Sequence, residues 1–281
     1  MSKILVTGSN GFLGRALLES LINHDVITFD ADDGNVIDYF FTDKDVSHVF
    51  HLAARTSVPE SWEIPYQYYQ TNIMGTVNVL ELCRTTGAKM TYVTTYPYGE
   101  PQYIPIDESH PCNPNSPYNH SKHIAEDICR SYSNLYGVSV TVLRLFNVYG
   151  NGQSESFLIP HVVKQAVFSS AIEVMDLEPK RDYVHITDVV KALLATIGVS
   201  GYNIYNVASG ESRSVMDVCR LALDTLQTKK AIISLNNKRK NEVSNIEANI
   251  SKIKKDLGWT PTVTFPEGIK SLVEYYRSGL Q

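Results

Sequence analysis

The run Lys3-Ile4-Leu5-Val6 leads directly into Gly8-Ser9-Asn10-Gly11-Phe12-Leu13-Gly14, after which apolar residues recur with a helical period. Glycines at these spacings allow a turn too tight for a Cβ, with backbone N–H groups gathered at the start of the helix. Such a turn attracts an anion, because the first N–H groups of a helix lack partners within it and the helix dipole is positive there. Gly8, Asn10, Gly11, Phe12, Leu13 and Gly14 are therefore predicted to cradle a pyrophosphate. A strand, a glycine turn and a helix in this order open a βαβ unit, which requires a parallel sheet.

The rest of the first half keeps the same rhythm. Short apolar runs at 4–6, 26–29, 49–52, 90–93 and 140–145 alternate with helix-period segments at 12–23, 66–86 and 119–136. This alternation predicts an α/β fold, a Rossmann-type doubly wound parallel sheet with helices on both faces. After Gly150 the rhythm breaks into a loop (151–156), a helix near 159–169 and a strand near 183–186. The expected division is a dinucleotide-binding Rossmann domain over 1–150, with 183–208 returning to it. A smaller C-terminal substrate-binding lobe would be built from 151–182 and 209–281.

Composition removes several functional classes. A net charge of −5, from 25 basic and 30 acidic residues without a long basic run, leaves no electrostatic footprint for nucleic acid. The four cysteines, Cys83, Cys112, Cys129 and Cys219, are scattered, with no C-x-x-C pair and no metal-ligand spacing. No metal is expected. No apolar run could span a bilayer, and no leader precedes the first strand, so a cytoplasmic protein is expected.

Two further features point to chemistry. Asp30 ends the second apolar run, where a carboxylate accepts hydrogen bonds from an adenosine ribose and repels a 2′-phosphate, favouring NAD(H) over NADP(H). Tyr118 and Lys122 stand four residues apart on one face of a predicted helix, and a lysine ammonium beside a phenol lowers its pKa towards neutrality. The polar stretch Thr94-Thr95-Tyr96-Pro97-Tyr98-Gly99 follows the fourth strand, at the sheet end where α/β sites gather. Thr94, with Thr95 second, is the hydroxyl expected to bond the reacting oxygen and relay a proton to Tyr118.

Together these residues resemble the extended short-chain dehydrogenase/reductase family, in the NAD-dependent epimerase/dehydratase branch acting on nucleotide sugars. The resemblance runs along nearly the whole chain. It includes the glycine turn, His51-Leu52-Ala53-Ala54, Ser57-Val58-Pro59, the Asn-x-x-Gly-Thr-x-Asn run from Asn72 to Asn78, Tyr118/Lys122, Arg144 to Gly150, Arg181-Asp182-Tyr183-Val184-His185 and Leu257-Gly258-Trp259. It implies that Leu52, Ala53, Ala54 and Asn72 line the cofactor, that Lys122 also holds the nicotinamide ribose, and that Tyr118 is the catalytic acid or base. It further implies that Ser57, Thr94, Thr95 and Tyr118 meet the substrate, that Asn147, Arg181 and Arg239 contact its diphosphate, and that Glu242 contacts the nucleotide ribose. A homodimer formed through 66–86 and 119–136 is implied in the same way.

Two departures refine the expectation. Dehydratases of this branch carry Asp-Glu after the catalytic threonine, whereas this chain has Thr95-Tyr96, so dehydration is not expected. The stretch from Asp30 to His51 is short, leaving less chain to clasp an adenosine, with Asp38 standing in for the usual adenine contact. That favours an exchangeable cofactor, and the leading expectation is an NADH-dependent reductase of a 4-keto sugar on a nucleoside diphosphate. The alternative is a 4-epimerase, similar to UDP-glucose 4-epimerases, with NAD held tightly through turnover. A third reading is a non-catalytic NAD-binding sensor, against which the retained Tyr118, Lys122 and strand-end threonine count.

Overall fold

A computed structural model describes residues 3–38, 45–237 and 243–279. Strand β1 (Lys3–Thr7) passes through the glycine turn into α1 (Phe12–Leu18), followed by β2 (Asp25–Phe29) and β3 (Val46–His51). Next come α2 (Val58–Glu63), α3 (Pro65–Tyr69), a π-helical turn (Gln70–Met74), α4 (Gly75–Thr86), β4 (Lys89–Thr95), α5 (Pro117–Tyr136) and β5 (Val140–Leu145). The remainder contains β6 (Asn147–Tyr149), α6 (Leu158–Phe168), β7 (Ala171–Val174), β8 (Lys180–His185), α7 (Ile186–Ala195) and β9 (Tyr202–Val207). It ends with β10 (Ser212–Ser214), α8 (Val215–Leu226), β11 (Ala231–Ser234), α9 (Ser251–Leu257) and α10 (Phe265–Arg277).

Six of these strands form one sheet in the order β2-β1-β3-β4-β5-β9, with every neighbouring pair parallel. Successive side chains of a strand face opposite sides, and both sides of this sheet are covered. Ile4 and Val6 pack with Leu17, Val189 and Leu193 on one face. Leu5 and Val49 pack with Val79, Leu80 and Cys129 on the other. Every residue of β5 is buried. The chain leaves β1 towards β2 on one side and returns as β3 on the other, so a crevice opens at the carboxyl ends of β1 and β3.

A smaller lobe gathers α6, α8 and α10 with β7 and β8 around Ile159, Val163, Val218, Ile269 and Leu272. The tail does not stay within it. Ile253 and Trp259 are buried in the core of the large sheet, and Trp259 Nε1 donates to the Asp188 carbonyl at 2.9 Å. The lobe expected over 209–281 thus gives part of its length back to the sheet, because α9 has its own apolar face to bury.

Two expected helices differ in shape. The segment at 12–23 is helical only to Leu18, and the N–H groups of Ser20 and Leu21 turn tightly back to Leu17 and Leu18. The segment at 66–86 is interrupted by its π-helical turn, whose extra residue carries the Asn72 side chain into the interior, where it is 1% exposed.

Candidate active site

The glycine turn is pressed against the chain that follows β3. Gly8 has φ +76°, and a Cβ there would lie 2.6 Å from Ala53 N. A Cβ on Gly14 would lie 2.2 Å from the Gly8 carbonyl oxygen. Only glycine therefore permits this cradle, which has the shape that an approaching pyrophosphate requires. The Asp30 carboxylate accepts hydrogen bonds from Asn10 N and Ala31 N, each 2.7 Å, and so holds the tip of the turn against the end of β2. Phe12 and Leu13 begin α1 and pack on the sheet core, as does Leu52. Asp38 is exposed beyond Val36, which meets α4 at Gly75, while Asn78 Nδ2 donates to the Val36 carbonyl at 2.9 Å.

Behind this cradle runs a buried relay. Ala53 N donates to Thr7 Oγ1 (3.3 Å), Thr7 Oγ1 bonds His51 Nδ1 (2.8 Å), His51 Nε2 bonds Thr76 Oγ1 (3.1 Å), and Thr76 Oγ1 donates to the Asn72 carbonyl (2.7 Å). Because Thr76 Oγ1 gives its proton to the Asn72 carbonyl, His51 carries a proton on Nε2. Burial, and then the nearby Lys122 charge, pull its pKa down to about 3. The Asn72 amide bonds both Arg55 N and O (2.9 and 3.1 Å) and Ser121 Oγ (2.9 Å). Both of its N–H groups are used in this way, so Asn72 clamps the cleft wall to α5.

Tyr118 and Lys122 lie on the first two turns of α5, which starts with Ser116 Oγ accepting from Asn119 N. Lys122 is 3% exposed, and its ammonium sits 4.3 Å from the centre of the Tyr92 ring. Burial draws its pKa down to about 7, opposed by Cys129 and Glu126. The Tyr118 phenol lies close enough to Thr95 for that hydroxyl to ease its ionisation, and its ring meets Tyr68 edge-on at 6.4 Å. Burial, then Tyr68 and Tyr96, raise the phenol well above its ordinary value, and only Thr95 acts the other way. This differs from the expectation that Lys122 depresses the Tyr118 pKa: burial dominates and holds Tyr118 as a neutral phenol.

The two threonines divide their tasks. Thr95 lies beside the Tyr118 phenol, whereas Thr94 Oγ1 is buried without a well-formed hydrogen bond, close enough to the Tyr92 phenol to ease its ionisation slightly. Buried hydroxyls are almost always paired, so the Thr94 oxygen is poised for a ligand atom.

Beyond the end of β5 opens a cavity of about 440 Å³, lined by β6, β8 and elements of the smaller lobe. It brings together Asn147, Arg181, Tyr149, Phe157 and Leu158. The Arg181 guanidinium donates to the carbonyls of Lys180 and Val243, both at 2.7 Å. Tyr96 donates to Asn147 Oδ1 at 3.3 Å and stacks on Phe146, linking the cavity to the Tyr118 neighbourhood. Ser57 is exposed and caps α2 by accepting from Glu60 N at 3.3 Å. Arg239 and Glu242 lie outside the described residues. Tyr68 and Tyr92 are the residues that sequence reasoning missed; among 17 tyrosines, nothing in their local pattern distinguishes them.

Among the described residues no cluster of His, Cys, Asp or Glu could hold a metal, and no helix is long and apolar enough to cross a membrane. A family model described as GDP-mannose 4,6 dehydratase matches residues 23–272. A putative UDP-glucose 4-epimerase of Methanocaldococcus jannaschii is 33% identical, over 98% of each chain. A GDP-6-deoxy-D-mannose reductase of Pseudomonas aeruginosa is 29% identical, over 82% of this chain and 80% of its own. The structure of a Thermus thermophilus UDP-glucose 4-epimerase in complex with NAD superposes with a TM-score of 0.89 at 26% identity, covering 99% of this chain and all of the other.

Proposed function

The chain belongs to the NAD-dependent epimerase/dehydratase family of extended short-chain dehydrogenases/reductases, enzymes of nucleotide sugars, and from that premise we propose that it is a 4-epimerase of a hexose carried on a nucleoside diphosphate. The observation that carries the reading is the convergence of Tyr118, Lys122 and the unpaired Thr94 hydroxyl at the end of β4, beside a turn that only glycine can form. The end-to-end relationship with a putative UDP-glucose 4-epimerase supports epimerisation over the NADH-dependent reduction that the short Asp30–His51 stretch favours.

NAD fits this cleft. A Cβ at Gly8 or Gly14 would fill the cradle, Asp30 stands at the end of β2 for the adenosine ribose, and Lys122 has donors for the nicotinamide ribose. When bound, the nicotinamide supplies hydride acceptance and donation at C4. Thr94 holds the 4-oxygen, while Tyr118, which the cleft holds as a neutral phenol and which must first release its own proton to solvent, acts as phenolate to take the proton from the 4-hydroxyl and returns it after the sugar has presented its other face. Asn147 and Arg181 hold the diphosphate, since a guanidinium offers several charge-assisted hydrogen bonds to phosphate oxygens. Arg239 and Glu242 would complete that grip.

A second reading, reduction of a 4-keto sugar with NADH, is favoured by the neutral state of Tyr118, a phenol ready to protonate a forming alkoxide. Purified protein decides between them. NAD retained stoichiometrically, with interconversion of UDP-glucose and UDP-galactose and no added cofactor, supports the epimerase. Consumption of NADH only when a 4-keto nucleotide sugar is supplied replaces it with the reductase.

The four free cysteines, three of them buried, suit the cytoplasm as the working compartment. Exposed apolar side chains on α3 to α5 and the π-helical turn, including Tyr66, Met74, Leu135 and Tyr136, suit packing of a second copy into a homodimer. Sedimentation at micromolar concentration tests that assembly.

A further inference from the structure

Tyr92 is wholly buried in β4, where it meets Lys122 and lies beside Thr94. Its ring lies beneath the Lys122 ammonium at 4.3 Å, and its hydroxyl donates to the Lys122 carbonyl at 3.3 Å. The unpaired Thr94 hydroxyl stands beside its phenol. On another side the His51 ring stacks with it, centroids 5.9 Å apart at 25°. Glu126, the carboxylate one turn further along α5, is engaged by Arg144 at 2.5 and 3.0 Å, so Lys122 sits in the interior without a carboxylate of its own.

We infer that Tyr92 is a positioning residue of the catalytic centre, its ring face taking the Lys122 charge in place of a carboxylate and leaving the ammonium N–H groups for a bound dinucleotide. A carboxylate would accept those donors and hold them away from a ligand; a ring face stabilises the cation by its quadrupole and leaves donors free. The inference rests on the role given to Lys122 above. The groups that face Lys122 are His51 from β3, Tyr92 from β4, and Glu126 and Cys129 from its own helix, while Tyr118 acts on Tyr92. His51 stays neutral across the working range, Tyr92, Tyr118 and Cys129 stay protonated, and Glu126 is held by Arg144. Lys122 is therefore the group among them that titrates near pH 7.

The test is NADH affinity, read by nucleotide fluorescence from pH 5.5 to 9 in the full-length protein and its variants. Affinity should fall as Lys122 loses its proton. Tyr92→Leu should move the midpoint of that fall down by roughly one pH unit, a tenfold change in the ionisation constant. Tyr92→Phe, which keeps a ring face, should keep the midpoint. A ring-fluorinated phenylalanine at position 92, of nearly the same size but with a weakened quadrupole, should shift it in the same direction as leucine and serves if the leucine variant does not fold. Lys122→Met should abolish the pH dependence. A midpoint unmoved by leucine and by the fluorinated ring, with Lys122→Met still abolishing it, overturns the role of Tyr92 alone. Persistence of the midpoint in Lys122→Met overturns the reading of Lys122 and the inference with it.

Discussion

The side-chain amide of Asn72 donates a 2.9 Å hydrogen bond to Ser121 Oγ, joining the chain after β3 to the helical turn that carries Tyr118 and Lys122. Two walls of the cleft are thus set by one buried amide. Asn72→Ala leaves Arg55 N and O and the Ser121 hydroxyl without this partner, so a loss of about 2 kcal/mol is expected in urea unfolding. A larger fractional fall in kcat/KM than in folded population would show that the clamp also sets the site.

Thr94 and Thr95 are separable by substitution. Thr94→Val removes a buried hydroxyl that has no well-formed bond, so unfolding midpoints should change little while kcat falls on the order of tenfold to a hundredfold. Tyr118→Phe should lower kcat by about 10²- to 10⁴-fold while NADH still binds, as a dinucleotide titration would record. Wild-type turnover in Tyr118→Phe would remove this residue from the chemistry.

Glu126 and Arg144 form a buried ion pair, with side chains 3% and 4% exposed, that also takes in Tyr98 and the Glu108 carbonyl. Glu126→Gln leaves a buried guanidinium without its counter-charge and should cost on the order of 3–5 kcal/mol. On the same helix the exposed Asp127–Arg130 pair should contribute about 0.5 kcal/mol or less, so Asp127→Asn is the control. Equal effects in chemical denaturation would contradict the assignment of burial as the deciding factor.

Acid should weaken the fold through three histidines. Burial lowers the pKa of His48 from 6.5 to about 4 and that of His51 to about 3, with Lys89 and Lys122 respectively adding to the effect. Both are neutral when folded and protonate more readily when unfolded, so their contribution is present above pH 6.5 and is lost as the pH falls towards 4 and 3. Asp182, raised to about 6 by burial, acts in the opposite sense, its contribution disappearing as the pH rises through 6. His185 is lowered by burial as well and Glu108 raised, so three histidines act against two carboxylates and stability increases with pH between about 4 and 6. His48→Gln should flatten that slope by roughly 1.4 kcal/mol per pH unit, measured by urea titrations at several pH values.

Gly14→Ala should disable the cradle. The added methyl would lie 2.2 Å from the Gly8 carbonyl and 2.6 Å from that of Ser9, both backbone atoms that cannot swing aside. A stability loss on the order of 3 kcal/mol and at least tenfold weaker NADH binding are expected, whereas Gly137→Ala, with no atom within 4 Å of its Cβ, should leave the cleft undisturbed.

Much of the sheet could be read from local pattern, for a definite reason. β1, β3, β4 and β5 are buried on both faces, so apolar residues fall on both faces rather than alternating with exposed ones, and β5 spans the very residues its run predicts. Helix ends were less legible. α1 stops at Leu18 where the pattern continues to residue 23, and the π-helical turn inside 66–86 arises because Asn72 must reach Arg55 and Ser121, partners distant in sequence.

Sequence alone determined the glycine turn, the tyrosine–lysine pair and the parallel architecture, since each depends on spacing within a few residues of chain. Tertiary structure alone decided which threonine lies beside Tyr118, that Lys122 rests on Tyr92, and that Asn72 acts as a clamp. Those outcomes depend on which side chains from separate strands and helices share one interior, where burial changes the balance of charge and a hydrogen bond must be made with whatever neighbour the fold supplies.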